Sequence, residues 1–220
     1  MDRIDKIFQL LEKKIAFEPI INKLAKKNAS RFEILVATMM SARTKDEVTE
    51  LAADRLFNIA NTPEQILKLD QKKIEKIIYP VGFYITKARH ILELSKMMIQ
   101  KFNSKVPDSL DKLQMLPGVG LKTAALVLSE GFGVDEICVD THVHRISNRL
   151  GMVKTKEPKE TYAALKKNLP KKYWRKINYL MVSHGKTVCK PIGPKCPECM
   201  LNKICPKIGV KSIYKTGNKS

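Results

Sequence analysis

The chain has 220 residues, of which 44% are hydrophobic and 29% charged, so it can bury the core of one large domain or two lobes. No apolar run approaches the ~20 residues of a membrane-spanning helix, so a membrane protein is not expected. The formal net charge of +19 is uneven, because residues 154–220 carry 17 Lys and Arg against 3 Asp and Glu. Such a segment is typical of a surface that faces a polyanion, with a lysine-rich solvated surface as the alternative.

Apolar residues recur with the helical period along most of the chain, and no segment alternates convincingly as a β-strand does. The pattern therefore predicts an all-α protein. The predicted helices span 2–15, 30–41, 46–58, 63–69, 71–78, 85–102, 109–115, 121–130, 140–149, 159–167 and 172–184. Thr62 followed by Pro63 is a typical helix start, and Gly151 and Gly185 lie where helices are expected to end.

The N-terminal segment predicts an amphipathic helix. Its apolar residues share one helical face and are Ile4, Ile7, Phe8, Leu11 and Ile15. A signal peptide would need a continuous apolar run instead. We therefore expect a cytoplasmic protein without a targeting signal.

Residues 116–124, Leu-Pro-Gly-Val-Gly-Leu-Lys-Thr-Ala, predict a tight turn that leads into a helix. Gly118 and Gly120 tolerate the positive φ values that such a turn needs. The N–H groups of the turn, which includes Val119, and those of the helix N-terminus together favour a phosphate oxygen. Lys122 lies on the first turn of this helix, and its amine is either a candidate nucleophile or a phosphate contact.

Asp140 follows Lys122 by 18 positions, about the length of one helix and a return loop, so it can come back to face the lysine. Asp140 also suits the N-cap of the next helix, and the two roles are compatible because a capping carboxylate is held rigidly. His142 and His144 are more typical of structural or phosphate contacts than of catalytic bases. A lysine and an aspartate beside a phosphate-binding turn indicate chemistry on a nucleic-acid backbone.

Four of the five cysteines are crowded into one loop. They are Cys189, Cys196, Cys199 and Cys205. Only Cys196 and Cys199 have the close spacing common in zinc sites, and the uneven run favours an iron–sulfur cluster over a zinc ion held by four thiolates. Lys190 and Lys195 lie in the same loop and are expected to contact phosphates. Cys138 is expected to be a buried small residue.

These motifs carry a family resemblance. The run from Leu116 to Asp140 resembles the helix-hairpin-helix–Gly/Pro–Asp signature of base-excision DNA glycosylases, and the cysteine spacing is similar to the cluster loop of the endonuclease III branch. The resemblance extends over nearly the whole chain, including residues 40–43 and 81–84. It implies a bifunctional DNA glycosylase/AP lyase that removes oxidised pyrimidines. Lys122 would form a Schiff base with sugar C1′ and cleave 3′ to the abasic site by β-elimination, and Asp140 would stabilise positive charge at C1′.

The resemblance also implies an architecture, a cofactor and a partner. Two helical lobes would flank an active-site cleft. Residues 24–134 would form the lobe with the helix-hairpin-helix motif, and residues 1–23 with 135–220 would form the lobe that carries a [4Fe–4S] cluster on residues 189–205. The partner would be double-stranded DNA with a damaged base or an abasic site. We expect a monomer associated with the nucleoid.

A base inside a duplex must be flipped out before its C1′ can be attacked, and the gap is then filled by protein side chains. In the family a glutamine fills the gap and an apolar residue before a tyrosine pries the strands apart. The corresponding residues here are Arg43 and Phe83. Arginine in place of glutamine favours a guanine edge, so a different opposite-base preference is expected. The alternatives are a helix-surface Arg43 and a core Phe83.

Two other functions remain open. One is a mismatch-specific glycosylase of the same superfamily, acting on adenine or on thymine or uracil. The adenine branch has a non-lysine residue at the position of Lys122. The other is a non-catalytic DNA-binding module with a structural metal, which would not need Asp140 opposite Lys122.

Overall fold

The computed structural model describes residues 2–210, so the last ten residues of the basic segment lie outside the described range. Its helices are α1 Arg3–Glu12, α2 Ile20–Lys26, α3 Arg31–Ser41, α4 Asp46–Phe57, α5 Pro63–Ile66, α6 Gln71–Ile78, α7 Tyr84–Phe102, α8 Leu110–Gln114, α9 Leu121–Phe132, α10 Thr141–Arg149, α11 Pro158–Asn168 and α12 Trp174–Thr187. A 3₁₀ turn, Lys171–Tyr173, precedes α12. Residues 2–210 contain no strand, which confirms the all-α prediction. None of the helices in this range is long and apolar enough to cross a membrane.

The helices group into two compact units. Residues 19–138 form the hairpin unit, and residues 2–18 with 139–210 form the cysteine unit. The sequence analysis placed these divisions at residues 23/24 and 134/135. In the structure they fall between Glu18 and Pro19 and between Cys138 and Val139.

Helix α3 is the central element of the hairpin unit. Residues 34–40 of this helix are all buried, and so is Phe32. A helix that is apolar on every side belongs in the middle of a core, and α3 packs against α9, in which residues 124–129 are buried as well. The start of α9 therefore extends from a rigid core, and Lys122 lies at this start.

In the cysteine unit, α12 packs against both α10 and α1. The buried residues that join them are Ile7, Phe8, Leu11, Val143, Ile146, Ile177, Leu180 and Met181. Phe8 of α1 also stacks on Tyr173, with ring centroids 3.9 Å apart. These contacts fix α10, whose first turn begins at Asp140.

The helix prediction is wrong at two places near the N-terminus. Helix α1 ends at Glu12, and Ile15 lies beyond it with 47% of its surface exposed, so Ile15 does not belong to the buried face. Helix α2 was not predicted. It has only seven residues and begins after Pro19, which offers no capping side chain, so its sequence signal is weak.

The two glycines that were expected to end helices behave differently. Gly151 has φ +64° and follows the end of α10, as predicted. Gly185 lies inside α12, so that prediction is wrong. A Cβ at Gly185 would lie 2.3 Å from Nδ1 of His142 and 2.9 Å from Nη2 of Arg145. The glycine is there because α12 approaches α10 closely.

Candidate functional site

Helices α8 and α9 and the turn between them form the predicted helix-hairpin-helix motif. The N–H of Leu116 donates to the carbonyl oxygen of Leu113, and the N–H of Val119 donates to that of Leu116, both at 3.1 Å. Val119 is buried, and Gly118 has φ +78°, which favours glycine. The turn ends at Gly120, the N-cap of α9. The first N–H groups of α9 follow directly and can face an anion.

The two glycines of the hairpin meet different surroundings. A Cβ at Gly118 would lie 2.6 Å from Nδ1 of His90 and 2.9 Å from the terminal methyl of Met39, which are distances that side chains do not adopt. A Cβ at Gly120 would meet nothing within 4 Å. Gly118 is therefore required by the fold of the hairpin, and Gly120 is not.

Lys122 is the second residue of α9, and it is exposed. Its backbone carbonyl accepts a hydrogen bond from the thiol of Cys138, at 3.6 Å. Cys138 is 1% exposed, which confirms its prediction as a buried small residue. This contact joins the back of the helix turn that carries Lys122 to the end of the return loop.

Asp140 belongs to the cysteine unit and caps α10. Its Oδ1 accepts hydrogen bonds from the N–H groups of His142 and Val143, at 2.9 and 2.8 Å. The carboxylate is therefore fixed in orientation by the helix that it starts. The His144 ring lies 2.6 Å from Oγ1 of Thr161. The His142 ring packs on Gly185, as described above.

Arg43 and Phe83 have left-handed backbones, with φ of 54° and 59°. For residues with a Cβ this conformation costs about 1–2 kcal/mol, so neighbouring contacts must hold it. The Arg43 guanidinium lies 5.6 Å from the centroid of the Phe83 ring. Phe83 is 61% exposed, so it is not a core residue, and Arg43 lies just after the end of α3 in a loop. The two predicted wedge residues are neighbours on one exposed surface of the hairpin unit.

The four loop cysteines line one cavity of the cysteine unit. Three of their sulfur atoms accept N–H groups: Cys189 from Arg149 at 3.3 Å, Cys199 from the backbone of Leu201 and Cys205 from the backbone of Lys207, both at 3.4 Å. Such bonds stabilise thiolate sulfur. Within residues 2–210, no three or more His, Cys, Asp or Glu side chains are arranged as ligands of a single metal ion.

Burial raises the pKa of the Cys199 thiol, and the three other loop cysteines raise it further. Burial also raises the pKa of Cys205, with Cys189 and Cys196 adding to the effect. Each cysteine thus raises the pKa of its neighbours, because negative charges on several of these sulfur atoms would repel one another. A positively charged group bound among them would reverse this balance.

Two arginines of α10 hold the start of the cysteine loop, and the sequence analysis missed both. Arg145 donates to the Cys189 carbonyl at 2.9 Å, and Arg149 donates to the carbonyls of Lys190 and Pro191 at 2.7 and 2.9 Å. Burial lowers the pKa of Arg145. The spacing of four residues, which places both side chains on one face of α10, was visible in the sequence. Their carbonyl partners, about 40 residues away, were not.

His184 was missed as well. Its Nε2 lies 3.5 Å from Sγ of Cys199. Burial lowers the pKa of His184 to about 4, so the ring is neutral at pH 7. A neutral buried imidazole at the wall of the cavity adds no charge to the four thiols.

The two loop lysines that were expected to contact phosphates are both exposed. The Lys195 ammonium lies 3.8 Å from Oε2 of Glu198. This exposed pair is weak, because solvent screens it. Both side chains are therefore accessible to a phosphate from the outer surface of the loop.

Comparison with known proteins decides the family. Residues 36–171 match the HhH-GPD superfamily of base excision DNA repair proteins. The chain is 47% identical to endonuclease III of Thermotoga maritima over 179 residues, which are 81% of this chain and 84% of the relative. The chain belongs to the endonuclease III family. The resemblance identified from the hairpin, Asp140 and the cysteine loop is thereby confirmed.

Another endonuclease III relative and a solved structure extend this result. The chain is 45% identical to chloroplastic endonuclease III homolog 2 of Arabidopsis thaliana over 185 residues, and it spans about half of that longer protein (48%). It also matches the structure of a trapped endonuclease III–DNA covalent intermediate with a TM-score of 0.79 and 34% identity, covering 94% of this chain and 97% of the other. The similarity to endonuclease III therefore includes both units of the fold.

Proposed function

We propose that this protein removes oxidised pyrimidines from duplex DNA and then cleaves the strand 3′ to the abasic site, with Lys122 as the nucleophile. As a member of the endonuclease III family it is a base excision repair DNA glycosylase and AP lyase. The substrate and the residue roles are the proposed part. The observation that carries the nucleophile role is the exposed Lys122 on the first turn of α9, directly after the hairpin, and the substrate class follows from the resemblance to the family.

The proposed reaction begins when the neutral amine of Lys122 attacks sugar C1′. The N–C1′ bond forms while the bond from C1′ to the base breaks, and the base leaves with the electron pair and takes up a proton. A proton passes from the amine to O4′ as the C1′–O4′ bond opens, and the nitrogen lone pair forms the C1′=N bond of the protonated Schiff base. Removal of a C2′ proton then breaks the C3′–O3′ bond and releases the 3′ phosphate by β-elimination. The amine nitrogen needs no metal for these steps.

Asp140 is proposed to stabilise the positive charge that develops at C1′ and to help transfer protons. Its Oδ1 is engaged in the cap of α10, so we assign this role to Oδ2. Lys122 belongs to the hairpin unit and Asp140 to the cysteine unit. Their action on one sugar is therefore part of the proposal.

DNA binding is assigned to three groups of residues. The hairpin residues Gly118, Val119 and Gly120 would bind a phosphate through the N–H groups of the two glycines, and Val119, whose N–H is bonded to the Leu116 carbonyl, would hold the turn in shape. Arg43 and Phe83 would enter the gap left by the flipped nucleotide, which their exposure supports. Lys190 and Lys195 would contact phosphates from the cysteine loop. The proposal includes association with the nucleoid, because DNA is the substrate. It also includes a monomeric state.

We propose a [4Fe–4S] cluster as the group that the four loop cysteines hold. Four thiols around one cavity, three of them with N–H donors at sulfur, fit such a cluster. When bound, the cluster supplies structural support to a loop with few apolar residues, which presents Lys190 and Lys195. Purified protein should be brown and contain iron and sulfide. One zinc and no iron would contradict the assignment.

Defined lesions in duplex oligonucleotides test the substrate. We expect release of thymine glycol and a strand nick, both in the presence of a chelator for divalent metals. Matched duplexes would carry A·G, T·G or U·G mismatches. Excision confined to a mismatch would favour the mismatch-specific alternative, and no nick at an abasic site would contradict the lyase mechanism.

A further inference from the structure

We infer that Lys87 is a positioning residue, which holds the backbone of Arg43 in place beside Phe83 so that both can enter DNA opened by base flipping. The inference rests on the proposed function of Arg43 and Phe83. Lys87 lies on the first turn of α7, one turn after Phe83. Neither the sequence motifs nor the proposed chemistry accounts for it.

Lys87 is a buried cation with uncharged partners. It is 8% exposed. Its Nζ donates to the carbonyl oxygens of Met40 and Ala42, at 2.8 and 2.6 Å, and to Oγ1 of Thr44 at 3.2 Å. An ammonium group has three donors, so all of its hydrogen-bonding capacity is directed at this segment.

The acceptors surround Arg43. Met40 belongs to the last turn of α3, and Ala42 is the residue that ends this helix. Backbone carbonyls at a helix C-terminus lack partners within the helix and carry partial negative charge, so a cation is well placed there. Ala42 and Thr44 are the chain neighbours of Arg43. Lys87 therefore holds the backbone before the left-handed residue and the side chain of the residue after it.

Gly82 also contacts this segment. Its N–H donates to Oγ1 of Thr44 at 3.2 Å. A Cβ at this position would lie 2.6 Å from the Arg43 carbonyl oxygen, so only glycine fits. Gly82 directly precedes Phe83, and the loop that carries Phe83 is thereby joined to the loop that carries Arg43. Lys87, Thr44 and Gly82 together fix the separation of the two wedge residues.

The buried charge of Lys87 has a cost in stability. Burial lowers the pKa of Lys87 to about 8, which shows that the charge is disfavoured by its surroundings. A methionine has nearly the same length and would fill the volume without that penalty. What only the ammonium provides is a set of hydrogen bonds that fixes three acceptors around Arg43.

The test compares Lys87→Met with Lys96→Met, which changes an exposed lysine of the same helix. The probes are a duplex with a tetrahydrofuran abasic analogue opposite 2-aminopurine and the same duplex without damage. We expect Lys87→Met to weaken binding to the abasic analogue about tenfold and to reduce the 2-aminopurine signal at saturating protein. Binding to undamaged duplex should change less than about twofold, and Lys96→Met should behave as the wild type.

A double-mutant cycle separates positioning from a general structural role. If Lys87 acts through Arg43, then Lys87→Met should cost less than about twofold when added to Arg43→Ala. An equal loss in both backgrounds would overturn the inference, and so would wild-type binding by Lys87→Met. Lys87→Arg, which keeps the charge, should recover part of the affinity.

The outcomes also separate this inference from the proposed function. If Arg43→Ala itself leaves abasic binding unchanged, the wedge role of Arg43 fails and the positioning role falls with it. If Arg43→Ala weakens binding and Lys87→Met does not, only the positioning role is overturned. Should Lys87→Met fail to fold by circular dichroism, Gly82→Ala decides. Its new methyl group displaces the Arg43 carbonyl, and unchanged abasic binding in that variant would overturn the inference.

Discussion

The hairpin and the cysteine loop are both proposed to bind phosphate, but different contacts hold the conformation of each. The hairpin is a turn of six residues between two helices, shaped by Gly118 and anchored by the buried Val119. The cysteine loop has no regular helix after Thr187 within the described residues, and its start is held by Arg145 and Arg149 from another element. The hairpin owes its shape to its own residues. The loop depends on distant arginines and, under our proposal, on the iron–sulfur cluster that its cysteines would hold.

This difference predicts how each region fails. A change in the hairpin should act through backbone geometry at one residue. A change in the loop should act through the loss of the bound group, and it should therefore affect a much larger part of the cysteine unit.

The largest effect is expected from Cys199→Ser. The loop should lose most of its iron, the protein should lose about 4 kcal/mol or more of stability, and binding to damaged duplex should weaken. Iron analysis and chemical denaturation measure these effects. Cys138→Ser is the matched control, since Cys138 is buried in the hairpin unit, and it should keep the full iron content. Full iron content in Cys199→Ser would contradict the assignment.

Gly118→Ala should have the next largest effect. The new methyl would meet His90 and Met39, and the residue has a positive φ, so we expect a loss of about 2–3 kcal/mol in the free energy of unfolding. Gly120→Ala is the control, because a Cβ there meets nothing within 4 Å, and it should cost less than about 1 kcal/mol. Equal losses in the two variants would show that the hairpin is not shaped by Gly118.

Replacing Lys190 and Lys195 together by Ala should leave the fold intact and change the salt dependence of duplex binding. The log–log slope of affinity against salt should flatten by about two units, since each phosphate contact releases about one counterion. Binding titrations between low and moderate salt give the slope. An unchanged slope would place both lysines away from the DNA.

The smallest effect is expected from Glu198→Gln. This change removes a carboxylate that lies 3.8 Å from the Lys195 ammonium. Because the pair is exposed and screened, duplex affinity should rise by less than about threefold. A fall in affinity would mean that Glu198 has a role of its own in binding.

Local signals in the sequence were enough for most of the fold. The hairpin was predictable because Gly118 and the apolar period of the next helix lie within a few residues of each other. Helix α2 was missed because it has only seven residues and follows a proline, which offers no capping side chain. Gly185 was assigned to a helix end because the sequence does not show that α12 approaches His142.

The parts of the site that the sequence did not show depend on contacts between distant residues. In the sequence, Lys87 is indistinguishable from an exposed helix lysine. Only the structure shows its contacts with Met40 and Ala42, which lie 47 and 45 residues earlier. The role of Arg149 likewise depends on its hydrogen bond to Cys189, which lies 40 residues later in the chain. Left-handed backbones at Arg43 and Phe83 had no signal, since neither residue favours that conformation.

Borohydride trapping on abasic duplex tests the central claim, that Lys122 is the nucleophile. Wild-type protein should be trapped covalently. Lys122→Gln should show neither trapping nor strand nicking while it still binds damaged DNA. Asp140→Asn should retain the cap of α10, because asparagine is as good an N-cap, and yet react about 10²-fold more slowly or worse. Undiminished trapping of Lys122→Gln would contradict the account and point to another amine.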